Sequence, residues 1–151
     1  MKGFILSLFL YCAASAAHAQ GIPNAQGCTA RHALSGQPVP VRQSVGPSQF
    51  WAQSRWDPDG WPSITYNAPY FNLPPLMQTF TSAHECGHLV LQTDNELLAN
   101  CFALRNLPLS GSDKQFIAQY HIGIGSIGPQ YGGSGAAFWA GTVRTCPNDA
   151  S

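Results

Sequence analysis

The chain has 151 residues, enough for one compact domain with a core of its own. Seven Lys/Arg balance seven Asp/Glu and only 9% of residues are charged, which leaves no basic patch to grip nucleic acid and no polybasic or amphipathic run to dock on a membrane.

Residues 1–19 read as an export signal. Lys2 supplies the positive start, Phe4 to Tyr11 (FILSLFLY) the apolar run, and Ala17-His18-Ala19 an A-x-A cleavage site before Gln20. The run is too short to span a bilayer, and the bulky Leu10-Tyr11 before Cys12 argues against lipoprotein processing. The expected mature chain is a single domain of residues 20–151, secreted or periplasmic, without a membrane anchor. It keeps Cys28, Cys86, Cys101 and Cys146. An even count in an exported domain of this size predicts two disulfides, and the lack of a C-x-x-C pair speaks against zinc ligation by these thiols.

Residues 20–62 are rich in Pro, Gly, Gln and Ser, with Pro38 to Arg42 (PVPVR) as an edge strand and a turn at Asp57-Pro58-Asp59-Gly60. Three tryptophans between Phe50 and Trp61 read either as core or as the lining of a groove. Ser63 to Phe71 (SITYNAPYF) is the clearest strand, and its place before the next helix suggests a sheet edge able to pair with an extended peptide.

A helix is expected from Pro74-Pro75. Leu76, Phe80, Ala83, His84, Gly87, His88 and Leu91 share one of its faces, and Leu89 and Val90 make the other side apolar, so it reads as buried and central. It contains His84-Glu85-Cys86-Gly87-His88, which fits H-E-x-x-H. Histidines at i and i+4 stack on one face and bring two imidazoles to one ion, while Glu85 reaches its rim, where it can take a proton from water. Two buried imidazoles without partners are costly, and a metal resolves that cost.

A second helix, capped by Thr93 or Asp94, should run from Asn95 to Leu107 and stop at Pro108. Glu96 and Asn100 form its polar i, i+4 pair. Glu96 reads as the third ligand of a two-histidine site, with Asn100 behind the ligand shell. Two other readings stay open: Glu96 completing a T-x-x-E capping box with Thr93, and Asp94 as the ligand. The Asp94 spacing is similar to the snapalysin branch of the metzincins, but those need a glycine where Leu91 stands and a methionine turn, and no methionine follows Met77.

HECGH together with Asn95-Glu96-x-x-Ala99-Asn100-x-Phe102-Ala103 and Leu107-Pro108 resembles the gluzincin metallopeptidases, especially the ImmA/IrrE-like group, over residues 74–108. The resemblance implies a small α+β zincin-like domain with a short antiparallel sheet and a central HExxH helix packed on a second ligand-bearing helix. It implies Zn2+ on His84, His88 and Glu96, Glu85 as general base, and a peptide or protein substrate. The gap from His88 to Glu96 is shorter than is usual in that group, whose members are mostly intracellular, so the kinship implied is with an exported gluzincin branch.

Further on, Ser112 to Gln115 reads as a capping box opening a third helix, with His121 near its end as a cap on the helix dipole or as a donor to the reaction intermediate. Gly123 to Gly135 reads as a loop, with Tyr131 as another candidate donor, and Ala136 to Thr145 as a last helix. Gly123 to Gly128 matches G-x-G-x-x-G by letter but lacks the strand-to-helix setting of a nucleotide loop. The expected disulfides are Cys86–Cys101, locking the two ligand helices together, and Cys28–Cys146, tying the ends, although on ideal helices Cys86 points about 200° from His84 and Cys101 about 140° from Glu96. The expected function is peptide-bond hydrolysis by a metal-activated water. The alternative is a non-catalytic exported binding module whose metal is structural or absent.

Overall fold

The computed structural model describes residues 27–124, 133–146 and 148. The expected export signal of residues 1–19, Cys12 and Tyr131 lie outside the described residues. Among the described residues the fold is α+β, with five short strands followed by four helices.

Strands β1 (Thr29–Arg31) and β2 (Pro38–Pro40) form an antiparallel pair, and β3 (Arg42–Val45), β4 (Ala52–Trp56) and β5 (Pro62–Tyr66) form a second sheet in the order β3-β5-β4. This second sheet is mixed rather than antiparallel, because β3 runs parallel to β5 while β4 runs antiparallel to it. A parallel return needs a long connection, and here that connection carries β4 and the tight turn at Asp57–Gly60, where Gly60 takes φ +84°.

The expectation that the best strand lies at the sheet edge is corrected. β5 is central, with Pro62, Ser63, Ile64 and Tyr66 buried, and its run ends at Tyr66. Ala68–Asn72 then forms a 3-10 turn, because Asn67 caps the Tyr70 N–H and proline at its start suits helical φ. The exposed edge beside the helices is β4. The tryptophans do not form one cluster: Trp56 donates to the Arg31 carbonyl, Trp61 to the Pro40 carbonyl, and Trp51 packs near Tyr120.

Helix α1 (Pro75–Leu91) lies between the sheet and the other helices, α2 (Glu96–Asn106), α3 (Gly111–Gly123) and α4 (Gly135–Thr145). Met77, Phe80, His84, Glu85, Cys86, Gly87 and Leu89 are buried, so α1 is central as expected, but Val90 and Leu91 at its C-terminal end are exposed. Asn95, rather than Thr93 or Asp94, caps α2, its side chain accepting from the N–H groups of Leu97 and Leu98. The box opening α3 is Ser110 with Asp113, two residues before the expected pair; the short Asp113 side chain reaches the Ser110 N–H at 2.9 Å.

Helices α1 and α2 approach closely because Gly87 lacks a side chain. A Cβ there would stand 3.0 Å from Phe102 Cβ and 3.2 Å from the Ala99 backbone. α1 and α2 thus meet through Gly87 and Ala99, which turns Cys86 and Cys101 away from each other.

The disulfides correct the expected pairing. They are Cys28–Cys86, joining β1 to α1, and Cys101–Cys146, joining α2 to the end of α4. Each sulfur finds the element on its own side of its helix, because the faces that meet between α1 and α2 carry Gly87 and Ala99 instead.

Two outcomes follow. Gly87→Ala is expected to cost about 1–3 kcal/mol of stability through overpacking against a backbone that cannot yield, measured by urea unfolding; unchanged stability would show that the helices can separate freely. Non-reducing peptide mapping should return only the two pairings above. With sequence separations of 58 and 45, each bridge should contribute about 4 kcal/mol by the chain-entropy relation.

Candidate metal centre

His84 and His88 sit one turn apart on α1, and Glu96 opens α2 directly opposite them. Glu96 Oε2 lies 2.9 Å from His84 Nε2 and 3.3 Å from His88 Nε2, and the two Nε2 atoms are 3.1 Å apart. The other ring nitrogens are engaged elsewhere. His84 Nδ1 meets Asn100 Oδ1 at 2.8 Å, and His88 Nδ1 donates to the Thr93 carbonyl at 2.7 Å. With the Nδ1 hydrogens so placed, three atoms that carry lone pairs crowd together, and only a shared proton or a cation makes that arrangement favourable. The group could hold a metal ion.

The chain turn between the helices shapes this site. Gln92 ends α1 in the left-handed conformation, φ 51°, where a non-glycine residue costs about 1–2 kcal/mol. The reversal brings the Thr93 carbonyl back onto His88, while the Thr93 N–H bonds the His88 carbonyl at 3.1 Å. Thr93 therefore orients His88 instead of forming a capping box with Glu96. Asp94 is exposed and stands outside the group formed by His84, His88 and Glu96, and His121 stands outside it too.

Glu85 occupies the next position on α1 and is buried. Its Oε2 accepts the Ser54 backbone N–H at 2.8 Å, which ties the carboxylate to the edge strand β4. Glu85 thereby stands at the junction of two hollows. One, about 260 Å³, is walled by Phe50, Trp51, Phe80, His121 and Phe138 beside His84. The other, about 170 Å³, has Gln53, Ser54, Thr93 and Asp94 around His88 and Glu96.

His121 lies at the back of the first hollow, with Phe80, Phe138 and Trp139 rings 5.4–5.7 Å from its own. Its Nδ1–H donates to the Ile117 carbonyl at 2.9 Å, and burial pushes its pKa down. A neutral imidazole in this tautomer offers Nε2 as an acceptor, so the geometry fits a group that receives a hydrogen bond better than the expected donor to an intermediate. Asn100 is where the sequence placed it, behind His84. Thr142, on which Asn100 Nδ2 donates at 2.7 Å, and Ser54 were not singled out from the sequence. The first is an ordinary residue on a distant helix, and the second acts through its backbone, which no side-chain motif reveals.

Burial alone would raise the Glu96 carboxyl, but the hydrogen bonds and charge of His84 and His88 outweigh it and hold the pKa down to about 2. For His88, burial pushes the pKa down, yet the bonds to Glu96 and the Thr93 carbonyl and the nearby carboxylates raise it to about 9. Glu96, ordinarily near 4.5, adds stability to the metal-free protein that is present above that pH and fades as pH falls toward about 2. His88, ordinarily near 6.5, adds stability that is full below that pH and is lost as pH rises through about 9. Glu96 and His88 together therefore contribute most between about pH 4.5 and 6.5, while the buried neutral His121 contributes less as pH falls below its ordinary 6.5, so the metal-free protein is expected to lose stability as pH rises from 6.5 toward 9. Thermal unfolding after chelation, scanned from acid to alkaline pH, checks this; stability that climbs steadily between pH 7 and 9 would contradict it.

Comparison with known proteins found no protein family, no curated protein and no solved structure that matches this chain.

Proposed function

We propose that this chain is an exported zinc-dependent peptidase. The observation that carries the reading is the convergence of His84 Nε2, His88 Nε2 and a Glu96 oxygen within 3.3 Å, with the Glu85 carboxylate beside them at the mouth of two hollows. Tetrahedral bonds of about 2.0–2.1 Å set ligands roughly 3.3 Å apart, close to the spacing of these three atoms. Two imidazoles and one carboxylate suit zinc, whereas calcium and magnesium prefer oxygen alone. Among the described residues the group has three members, which favours a reactive site over a structural one closed by four protein ligands.

An ion held there supplies Lewis-acid polarisation of a carbonyl and lowers the pKa of a water. Glu85 then accepts the proton of the attacking water and passes it to the departing amine as the C–N bond breaks. The Ser54 N–H keeps that carboxylate aimed away from the helix core. The edge strand β4 offers its backbone to an extended peptide, and the hollow walled by Phe50, Phe80 and Phe138 receives an apolar side chain next to the scissile bond. His121 accepts a hydrogen bond from a substrate N–H in that hollow. The two disulfides and the signal-like residues 1–19 support an exported setting. Among the described residues no helix is long and apolar enough to cross a membrane.

The decisive comparison is Glu85→Gln. Metal content should equal that of the wild type, and hydrolysis of casein or a quenched peptide should fall about 10²–10⁴-fold. Wild-type protein that takes up no zinc, or a variant as active as the wild type, would end this reading. Among peptides differing at one position, those offering Phe or Leu to the hollow should exceed those offering Asp or Lys by at least about tenfold in kcat/KM. Equal rates across the set would show that the hollow does not select.

A further inference from the structure

His84 is the one ligand whose outer nitrogen rests on an amide. An amide can turn over by 180° and exchange its acceptor for its donor. Asn100 is fully buried, so whatever sets its orientation also sets the hydrogen on His84. That partner is Thr142, also fully buried, on α4. The Thr142 hydroxyl donates to the Phe138 carbonyl one turn back at 3.2 Å, which leaves its oxygen as an acceptor. Only the NH2 end of Asn100 can satisfy that acceptor, and it does so at 2.7 Å. The Asn100 oxygen must then face His84 Nδ1 at 2.8 Å, where it requires a hydrogen on that nitrogen.

We propose that Thr142 is a positioning residue for the metal centre: through the Asn100 amide it holds His84 in the Nδ1–H tautomer, so that the Nε2 lone pair faces His88 and Glu96. The inference rests on the metal reading above and adds a residue 42 positions from Asn100 to it. Glu96 and Asn100 share one face of α2, but the third member of the chain comes from another helix, and something must keep that helix in place. The Cys101–Cys146 bridge does so. It joins the residue after Asn100 to the end of α4, one turn beyond Thr142, with Cα atoms 5.8 Å apart. The Cys146 N–H also donates to the Thr142 carbonyl at 2.9 Å. Gly141 lets α4 come close, since a Cβ there would stand 3.1 Å from Leu97 on α2.

The test begins with intact, metal-free wild-type protein, whose His84 tautomer is read from nitrogen-15 shifts of the imidazole. The Nδ1–H form is expected, and a predominant Nε2–H form overturns the proposal without reference to activity. Thr142→Val keeps the shape and removes the hydroxyl; it should mix the His84 tautomers and weaken Zn2+ binding about 10–100-fold in a chelator competition. Thr142→Ser keeps the hydroxyl and should bind Zn2+ as the wild type does. A Thr142→Val protein with the wild-type tautomer and affinity overturns the proposal. Should Thr142→Val not fold, the wild-type tautomer and the affinity of Thr142→Ser decide, and a Ser variant weakened as much as 10–100-fold counts against it. Loss of the peptidase reading, by contrast, would appear in Glu85→Gln and leave the His84 tautomer unchanged.

Discussion

The close approach of α1 to α2 is the constraint on which the site depends. Two imidazoles one turn apart can be supplied by any helix, but a third donor within 3.3 Å of both must come from a neighbour whose backbone nearly touches the first. Gly87 permits that contact, for its missing Cβ is the space that Ala99 and Phe102 occupy. The same glycine lies between Cys86 and His88, so the pentapeptide that carries both histidines also carries the packing that brings Glu96 to them.

Around this contact the fold places its covalent ties one residue from the candidate site. Cys86 follows Glu85 and reaches back to β1, and Cys101 follows Asn100 and reaches the end of α4. Neither bridge crosses the helix pair itself, where buried packing already holds. They fix the outer elements, the short β1–β2 pair and the last helix, to the buried helix pair. The arrangement suits a small domain whose strands are three to five residues long.

Polarity divides the surroundings of Glu85. Toward β4 and the α1–α2 turn the groups are Ser54, Thr93 and Asp94; toward α3 and α4 they are Phe80, His121 and Phe138. The low-dielectric side strengthens the hydrogen bonds of His84 with Asn100, and the wetter side leaves room for a polar chain. Burial alone would favour the neutral acid at Glu96, and the two imidazoles more than offset that desolvation and keep the carboxylate ionised.

Periodicity and spacing alone determined the helix with the HExxH face, the placement of Glu96 and Asn100 on one side of α2, and the presence of two bridges, because each is a local property of a helix or a count of thiols. What the tertiary structure decided was non-local. The strand expected at the edge became the centre of a mixed sheet, since a strand's neighbours depend on pairings tens of residues away and Ser63 to Tyr66 carries no mark of them. The cysteine pairing followed from which flank of each helix faced β1 or α4, and four thiols allow three pairings that composition cannot rank. Thr142 and the Ser54 N–H entered the site only once α4 and β4 had docked, because a threonine in an apolar helix and a backbone amide have no signature until another element supplies their partner.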